Sequence, residues 1–481
     1  MRIYDTLSGK KEELPAVSLS NLPRPKRNPL RPVQKSQGLR LFVCGPTVYG
    51  DSHIGHARTY LVFDALVKYL RSESIKVSYL QNITDIDDKI IARAKEEGIT
   101  PAEIAEKYLK GYYRNIKSLG ITSIDTYARA TDYIPEIVSQ VKRLMGGGYA
   151  YKISGDGVYF DITKFSDYGR LARRTVAQAE DAESRIDESV KKRNKGDFAL
   201  WKFSKKGEPS WPSELGDGRP GWHIEDTAMS EKHFGLQYEL HGGAIDLKFP
   251  HHEAEIAQAE SLSEKKLFVK IWMHTGFLTV HGKKMSKSLK NFVTIQEFLK
   301  KYPAEVLRLL VLSHHYRSPI NYTESLAEDY RKSWNSILEF LGKVEFVERQ
   351  KPRHRSYSQI LKNIGIKKAD ELFSKALEDD FNTPKAVAAI FELINVAQPK
   401  VWQFSSSDAK ATKDFVARSL KSLGFSISLL KIPSKINALA KEREKYRDNK
   451  QFVQSDALRK EIDGLGYVIE DTPVGPFLWP K

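Results

Sequence analysis

Short apolar runs and amphipathic segments alternate in the first part of the chain. The run LRLFV, which begins at Leu39, has the length of a buried strand and ends before the turn residues Gly45 and Pro46. Residues 55–71 carry apolar side chains at helical spacing, and VSYLQNI from Val77 is typical of a second strand. This order predicts a parallel α/β sheet with its ligand at the carboxyl ends of the strands.

The pattern changes after residue 120. The strand-like GVYFDI, a charged run over 180–197 and a stretch rich in Gly, Pro and Trp indicate an insertion over 121–220. IDLKFP and LFVKIWMHTGFLTV are then predicted as strands at which the sheet resumes. Helical signals dominate from about residue 293, and the end of the chain predicts two charged helices followed by a short β segment.

Composition restricts the class of protein. Among 481 residues, 77 are Lys or Arg and 61 are Asp or Glu, a formal net charge of +16 that favours a polyanionic partner, although lysine-rich usage alone gives the same charge. Cys44 is the single cysteine, so an intrachain disulfide is impossible and a reducing, cytoplasmic location is expected. The start of the chain lacks the apolar segment of a signal peptide, and no apolar run approaches the roughly 18 residues of a membrane span.

The segment His53-Ile54-Gly55-His56 is predicted to lie at the turn from the first strand into the helix. Free backbone N–H groups there favour a phosphate, and imidazole N–H groups can stabilise charge on an α-phosphate under attack. Gly55 leaves room for a flat purine against the backbone. The alternative for the isolated segment is two surface histidines beside a capping glycine.

A second candidate is the run Lys284-Met285-Ser286-Lys287-Ser288 after the predicted strand FLTV. Two ammonium groups three residues apart can hold the β- and γ-phosphates of a triphosphate as charge moves onto pyrophosphate. By itself this run is equally typical of a solvated basic turn. Together, however, the two segments match the two signatures of class I aminoacyl-tRNA synthetases.

Longer motifs extend this similarity. The segments CGPTVYGDSHIGHART, NITDIDDKI, GEPSWPSELGDGRPGWHIED, HGGAIDLKFPHHEAEIAQ, LEDDFNTPKA and RKEIDGLGYVIEDTPVG resemble the cysteinyl-tRNA synthetase family along nearly the whole chain. The resemblance implies a Rossmann-type class I catalytic domain with an inserted domain, then an α-helical bundle and a small C-terminal α+β anticodon-binding region. The corresponding ranges are 1–120 and 221–292 for the catalytic halves, 121–220 for the insert, 293–434 for the stem-contact and helical region, and 435–481 for the C-terminal region.

The resemblance also implies the reaction and its partners. L-Cysteine is expected to react with ATP, accompanied by Mg²⁺, to give cysteinyl-adenylate and pyrophosphate, after which cysteine passes to the terminal ribose of tRNA(Cys). A monomer is expected. Two alternatives remain open: a tRNA-independent ligase that joins cysteine to an amino sugar, and a catalytically silent RNA-binding paralogue. The presence of the C-terminal region opposes the first, and the intact phosphate-binding motifs oppose the second.

In this family a zinc ion is held by Cys, Cys, His and Glu, and it receives the substrate thiol. The matching positions are Cys44, Asp226, His251 and Glu255, so Asp226 departs from the pattern where the family has its second cysteine. A carboxylate is an acceptable zinc ligand and keeps the same net charge, but its harder oxygen weakens the preference for zinc. The alternative is a site without metal, in which Asp226 is an ordinary carboxylate.

The remaining site residues also follow from the resemblance. The residues expected to line the cysteine pocket are Cys44, Thr84, Trp222 and His241. The residues expected at ATP are Gly55, Gly242, Gly243, Asp246, Met285, Ser286 and Lys287. The catalytic residues are expected to be His53, His56, Lys284 and Lys287. For Trp222, simple packing is a strong alternative, because most tryptophans are large core residues.

Overall fold

The structure is a computed structural model that describes residues 1–15, 38–174, 191–263, 267–285, 291–350 and 365–481. The chain divides into two compact units. The first contains Met1–Ala304, His314–Thr323 and Glu378–Phe381. The second contains Glu305–Ser313, Glu324–Leu377 and Asn382–Lys481.

Strands and helices alternate in the first unit. Its strands are β1 Arg2–Asp5, β2 Lys10–Glu13, β3 Leu39–Val43, β4 Val77–Ile83, β5 Thr126–Arg129, β6 Ala150–Ile153, β7 Gly157–Phe160, β8 Phe198–Phe203, β9 Gly218–Pro220, β10 Tyr238–Ala244, β11 Val269–Thr275, β12 Leu278–Val280, β13 Lys283–Lys284 and β14 Ile320–Tyr322. Its helices are α1 Ile54–Ser72, α2 Asp88–Glu97, α3 Pro101–Ser118, α4 Ile134–Gly146, α5 Ile224–Phe234, α6 His251–Leu262 and α7 Ile295–Lys301. Short 3₁₀ helices span Ala130–Tyr133, Ile162–Lys164 and Ile245–Lys248.

A five-stranded parallel sheet forms the centre of the first unit, in the order β11-β10-β3-β4-β5. The predicted parallel α/β architecture is therefore confirmed. The sequence order reverses beside β3, whose neighbours are β4 on one side and β10 on the other. Ligands of open α/β sheets bind at such a reversal, beyond the carboxyl ends of the strands.

The sheet differs from the sequence prediction at two places. Strand β5 lies beyond the predicted boundary at residue 120 and pairs with β4, so the sheet extends into the range assigned to the insert. The prediction of IDLKFP as a strand is wrong, because Ile245–Lys248 form a 3₁₀ helix. The strand at this point is β10, whose sequence YELHGGA has no long apolar run.

The insert contains its own antiparallel sheet, ordered β6-β7-β8-β9. Val158, Phe160, Leu200 and Trp201 are fully buried beside α4 residues in one hydrophobic cluster. Most of the charged run 180–197 lies outside the described residues. The strand-like GVYFDI prediction corresponds to β7.

The described residues of the second unit are helical apart from one hairpin and the connecting segments. Its helices, some of which begin or end one residue outside the unit, are α8 Ala304–Leu312, α9 Glu324–Gln350, α10 Ile366–Glu378, α11 Thr383–Ala397, α12 Ser406–Ser422, α13 Ser434–Asp448 and α14 Phe452–Gly464, with a 3₁₀ helix at Gln398–Gln403. The hairpin strands are β15 Tyr467–Thr472 and β16 Gly475–Pro480. The predicted pair of charged helices and the following β segment are thus present. Among the helices of the described ranges, none combines the length and apolar character needed to cross a membrane.

The C-terminal helices and hairpin share a small core of their own. Ile436, Ile462, Ile469 and Leu478 form a buried cluster there. The hairpin also contacts the preceding helices, since Trp402 Nε1 donates to Glu470 Oε1 at 2.8 Å. Residues 435–481, predicted as a separate region, therefore fall within the second compact unit.

Arg58 links α1 to two loops of the first unit. Its side chain is 1% exposed and donates hydrogen bonds to the carbonyl oxygens of Phe277, Tyr316 and Ser318. Burial lowers its pKa to about 10, but the guanidinium remains charged at neutral pH. Since a Met side chain fills similar space but donates nothing, Arg58→Met removes this donor from three carbonyl oxygens, of which that of Tyr316 belongs to a buried residue.

We expect Arg58→Met to lower the free energy of unfolding by about 3 kcal/mol, measured by denaturant titration. Arg143→Met is the matched control, because Arg143 pairs with Glu231 at a partly exposed position, where ion pairs contribute little. Equal midpoints for the two variants would contradict the role given to Arg58.

Candidate active site

Four buried side chains meet near the carboxyl ends of β3 and β10. Cys44 directly follows β3, Asp226 lies in the first turn of α5, and His251 and Glu255 lie one turn apart in α6. Their exposed fractions are between 0 and 5%. The structure therefore brings together the residues that the resemblance assigns to the metal.

The spacing of these donors suits one tetrahedral ion. Cys44 Sγ lies 3.4 Å from Asp226 Oδ2 and 4.0 Å from Glu255 Oε1, and His251 Nε2 lies 3.0 Å from Asp226 Oδ2 and 3.1 Å from Glu255 Oε1. Bonds of about 2.0 to 2.3 Å around tetrahedral zinc separate the donors by roughly 3.3 to 3.7 Å. The four observed separations run from 3.0 to 4.0 Å, from slightly below this range to slightly above it.

The electrostatics of the cluster also fit a cation. Glu225, Asp226 and Glu255 are all buried, and within the described ranges none of them forms an ion pair with Lys or Arg. Among the described residues, Asp226 Oδ1 has no hydrogen-bond partner. Burial, reinforced by the charge of Asp226, raises the pKa of both glutamates well above its usual range. A divalent ion would offset these buried charges, so the residues present fit zinc.

Burial also raises the pKa of the Cys44 thiol, and the nearby charges of Glu255 and Asp226 raise it further. Deprotonation of this thiol therefore requires a positive charge beside it. A bound metal ion supplies such a charge, since coordinated thiols lose their proton.

Further histidines surround the sulfur. His241 Nε2 lies 3.4 Å and His252 Nε2 3.1 Å from Cys44 Sγ, and burial lowers the pKa of both imidazoles, so they are neutral. His274 contacts His252 from the end of β11. Sequence reasoning missed His252, His274 and Glu225. The available signal was their position, since His252 and Glu225 directly adjoin predicted ligands and His274 lies near the end of a buried strand.

The predicted cysteine-pocket residues lie around the same cluster. The Thr84 hydroxyl donates to Glu225 Oε1, directly beside Asp226. The Trp222 ring stacks on His251 with a centroid distance of 4.5 Å and an interplanar angle of 19°. His241 contacts the Cys44 sulfur, as described above. Their contact with a substrate remains a prediction.

His53 and His56 form the start of α1. The His53 Nδ1 atom accepts hydrogen bonds from the backbone N–H groups of Gly55 at 3.1 Å and His56 at 3.3 Å. The two rings stack at 3.8 Å. Burial, together with His56, lowers the pKa of His53 to about 2, and burial lowers the pKa of His56 to about 4 although Asp246 opposes it. Both imidazoles are neutral at pH 7, and the proton of His53 lies on Nε2.

The beginning of the lysine-rich loop lies near this turn. Lys284 Nζ is 3.7 Å from Asp246 Oδ2, and a Cβ added to Gly55 would lie 2.8 Å from the Met285 methyl carbon. Ser286 and Lys287 lie outside the described residues. After the loop, Val293 O accepts from Ile54 N at 3.0 Å.

Gly242 and Gly243 have a packing reason for their lack of a side chain. A Cβ at Gly242 would overlap the Phe63 ring of α1, and one at Gly243 would lie 2.9 Å from His252 Cε1. These glycines let β10 approach α1 and α6 closely. The predicted contact of both residues with the nucleotide remains a prediction.

Comparison with known proteins identifies two family matches. Residues 30–332 match the family described as tRNA synthetases class I (C) catalytic domain, and residues 372–430 match the DALR domain. A cysteine–tRNA ligase of Persephonella marina is 40% identical over 507 residues, covering 100% of this chain and 99% of the relative. Another from Thermococcus gammatolerans is 40% identical with the same coverage, and one from Thermoplasma volcanium is 43% identical over 90% of this chain and 93% of its own.

Solved structures share the fold at low identity. A Mycobacterium tuberculosis methionyl-tRNA synthetase in complex with methionyl-adenylate has a TM-score of 0.61 at 16% identity, covering 80% of this chain and 89% of that one. LeuRS of Agrobacterium radiobacter K84, in a ternary complex with tRNA and LeuAMS, has a TM-score of 0.61 at 12% identity, covering 83% and 86%. These likenesses support the class I synthetase fold.

The neutral state of His56 predicts a pH-dependent stability. Its pKa of about 4 in the folded chain lies below the ordinary 6.5, so between these pH values the unfolded chain binds a proton that the folded chain does not. As the pH is lowered through this window, the contribution of His56 to the free energy of unfolding therefore falls by about 1.4 kcal/mol per pH unit.

We expect the free energy of unfolding of His56→Asn, relative to the unmodified chain, to rise by about 2 kcal/mol between pH 7.5 and pH 5. Denaturant titrations of both proteins at the two pH values measure this change. Comparing the two proteins cancels the opposite pH dependence of Glu225 and Glu255, whose pKa values are raised. A difference independent of pH would contradict the assignment.

Proposed function

The chain belongs to the cysteine–tRNA ligase family of class I tRNA synthetases, and on this premise we propose that it joins L-cysteine to tRNA(Cys) in two steps. The proposed partners are ATP with Mg²⁺, L-cysteine and tRNA(Cys), and the proposed form is a cytoplasmic monomer. The observation that carries the amino-acid specificity is the buried cluster of Cys44, Asp226, His251 and Glu255, which fits a thiol-binding metal.

In the first step, a carboxylate oxygen of cysteine attacks the α-phosphorus of ATP. The new P–O bond forms as the bond to pyrophosphate breaks, and the products are cysteinyl-adenylate and pyrophosphate. We assign His53 and His56 to donate N–H hydrogen bonds to the α-phosphoryl oxygens, because both are neutral donors at the start of α1. Lys284 and Lys287 are assigned to the leaving phosphates.

Cys44, Asp226, His251 and Glu255 would hold the zinc ion. A bound zinc ion would favour deprotonation of a coordinated thiol far more than deprotonation of a hydroxyl. This difference would distinguish cysteine from serine. The chain's own residues shape the surroundings: Trp222 packs on the imidazole of His251, and Thr84 fixes Glu225 by a hydrogen bond. Shape alone separates the two amino acids poorly, since they differ by one atom.

In the second step, a hydroxyl of the terminal ribose of tRNA attacks the carbonyl carbon of the adenylate. The ester bond forms as the bond to AMP breaks, and the hydroxyl proton passes to a phosphate oxygen of the departing AMP. The net charge of +16 favours binding of the tRNA backbone. The DALR match at residues 372–430 favours a tRNA acceptor over an amino sugar, whose ligases lack the anticodon-binding end.

The assignment of Lys284 predicts a specific kinetic defect. Lys284→Ala should lower kcat for cysteine-dependent exchange of pyrophosphate into ATP about a hundredfold, because a charge on the leaving phosphates is lost. Lys300→Ala is the matched control, since Lys300 is an exposed lysine of α7 outside this cluster. Unchanged exchange in Lys284→Ala would contradict its role, and absence of exchange in the unmodified enzyme would favour a silent paralogue.

Metal removal tests the source of specificity. Chelator-treated enzyme should lose cysteine-dependent exchange and recover it with Zn²⁺, and the restored enzyme should charge total tRNA with cysteine but not serine. Full activity without metal would contradict metal-based selectivity. In that case the pocket around Trp222 would have to distinguish the thiol of cysteine from the hydroxyl of serine. Exchange without tRNA charging would favour the amino-sugar ligase.

A further inference from the structure

The Cys44 sulfur faces a second set of metal donors besides the one assigned above. His241 Nε2 and His252 Nε2 lie 3.4 and 3.1 Å from Cys44 Sγ, and Glu255 Oε1 lies 4.0 Å from it. One donor atom from each of these four residues lies within 4.8 Å of the others, and all four are buried. The two sets share Cys44 and Glu255.

Each imidazole in this region has its second nitrogen occupied. His252 Nδ1 lies 2.8 Å from His274 Nε2, and His274 Nδ1 lies 2.8 Å from Thr6 Oγ1. His241 Nδ1 lies 2.6 Å from the Tyr238 hydroxyl. If Nε2 of His252 binds a metal, its Nδ1–H donates to His274, whose own Nδ1–H donates to Thr6. Such outward hydrogen bonds fix the tautomer and orientation of metal-binding histidines.

The carboxylate at position 226 determines which of the two sets offers the softer donors. The first set offers one sulfur, one nitrogen and two carboxylate oxygens, whereas the second offers one sulfur, two nitrogens and one carboxylate oxygen. Zinc and cobalt(II) favour sulfur and nitrogen over additional hard oxygen donors. The second set is therefore the softer one in this chain, although a cysteine at position 226 would reverse the order.

We propose that Cys44, His241, His252 and Glu255 form a second position for the zinc ion, an alternative to the position formed with Asp226 and His251. The inference rests on the metal binding of the proposed function. Only one ion is held at a time, because the positions share the thiolate and one glutamate. His252 is then a metal ligand of this chain, and Asp226 and His251 are not both required to retain the ion.

Cobalt(II) titration of chelator-treated full-length protein tests the second position, with visible absorption and metal per chain as readouts. We expect His251→Ala to weaken Co²⁺ binding less than about tenfold, and His251→Ala with His252→Ala to weaken it more than about a hundredfold. Cys44→Ala should abolish the thiolate-to-cobalt absorption, because both positions use that sulfur. Circular dichroism verifies that each variant is folded.

Asp226→Cys gives a second test, because it exchanges one ligand of the first position for a softer one. Two thiolates should draw the ion to the first position, so His252→Ala should change the cobalt spectrum of the unmodified chain but not that of Asp226→Cys. Loss of metal in His251→Ala, together with an unchanged spectrum in His252→Ala, would overturn the second position while leaving the proposed function intact. Absence of Co²⁺ and Zn²⁺ binding by the unmodified chain would overturn both the second position and metal-based selectivity, whereas pyrophosphate exchange would still report the ligase activity.

Discussion

Uncompensated negative charge around one buried sulfur is the constraint on which the candidate site depends. Glu225, Asp226 and Glu255 lie beside Cys44, and no Lys or Arg among the described residues forms an ion pair with these carboxylates. Burying ionised carboxylates costs several kcal/mol each unless a positive charge lies nearby. The raised pKa values of the glutamates and of the thiol express this cost. A bound cation offsets it, and the same cation can then select a thiol substrate.

The fold supplies the cluster by ordinary packing. Cys44 comes from the end of β3, and His251 and Glu255 come from α6, which follows β10 after a short 3₁₀ segment. Because β3 and β10 are neighbouring parallel strands, their carboxyl ends meet at one edge of the sheet. The start of α1 lies at this edge as well, so the turn proposed to bind phosphate and the residues proposed to bind the metal lie at one edge of the sheet. Phe63 packed on Gly242 holds α1 close to β10.

The sequence predicted the elements whose apolar pattern serves only packing. LRLFV and VSYLQNI became β3 and β4 because buried parallel strands need continuous apolar residues. Strand β10 escaped detection because its residues also serve the site, with His241 facing the sulfur and Gly242 admitting a helix. The family resemblance indicated the donor set with Asp226, and the structure places those four residues together. The position of His252 beside His251 was a signal in the sequence, but only the structure shows that its ring faces the sulfur, with Nδ1 2.8 Å from His274 Nε2 of a distant strand.

Asp226 connects these observations. Replacing a thiolate by a carboxylate keeps the charge of the donor set, so the electrostatic need for a divalent ion is unchanged. It alters the hardness of the ligands instead, and it leaves one oxygen, Oδ1, without a hydrogen-bond partner in the described structure. On the inference above, the imidazoles of His241 and His252 would provide softer donors in place of the family's second thiolate. On the proposed function, selectivity for a thiol would belong to the whole buried cluster, and on the inference above the carboxylate at position 226 would shift which of its members the metal depends on.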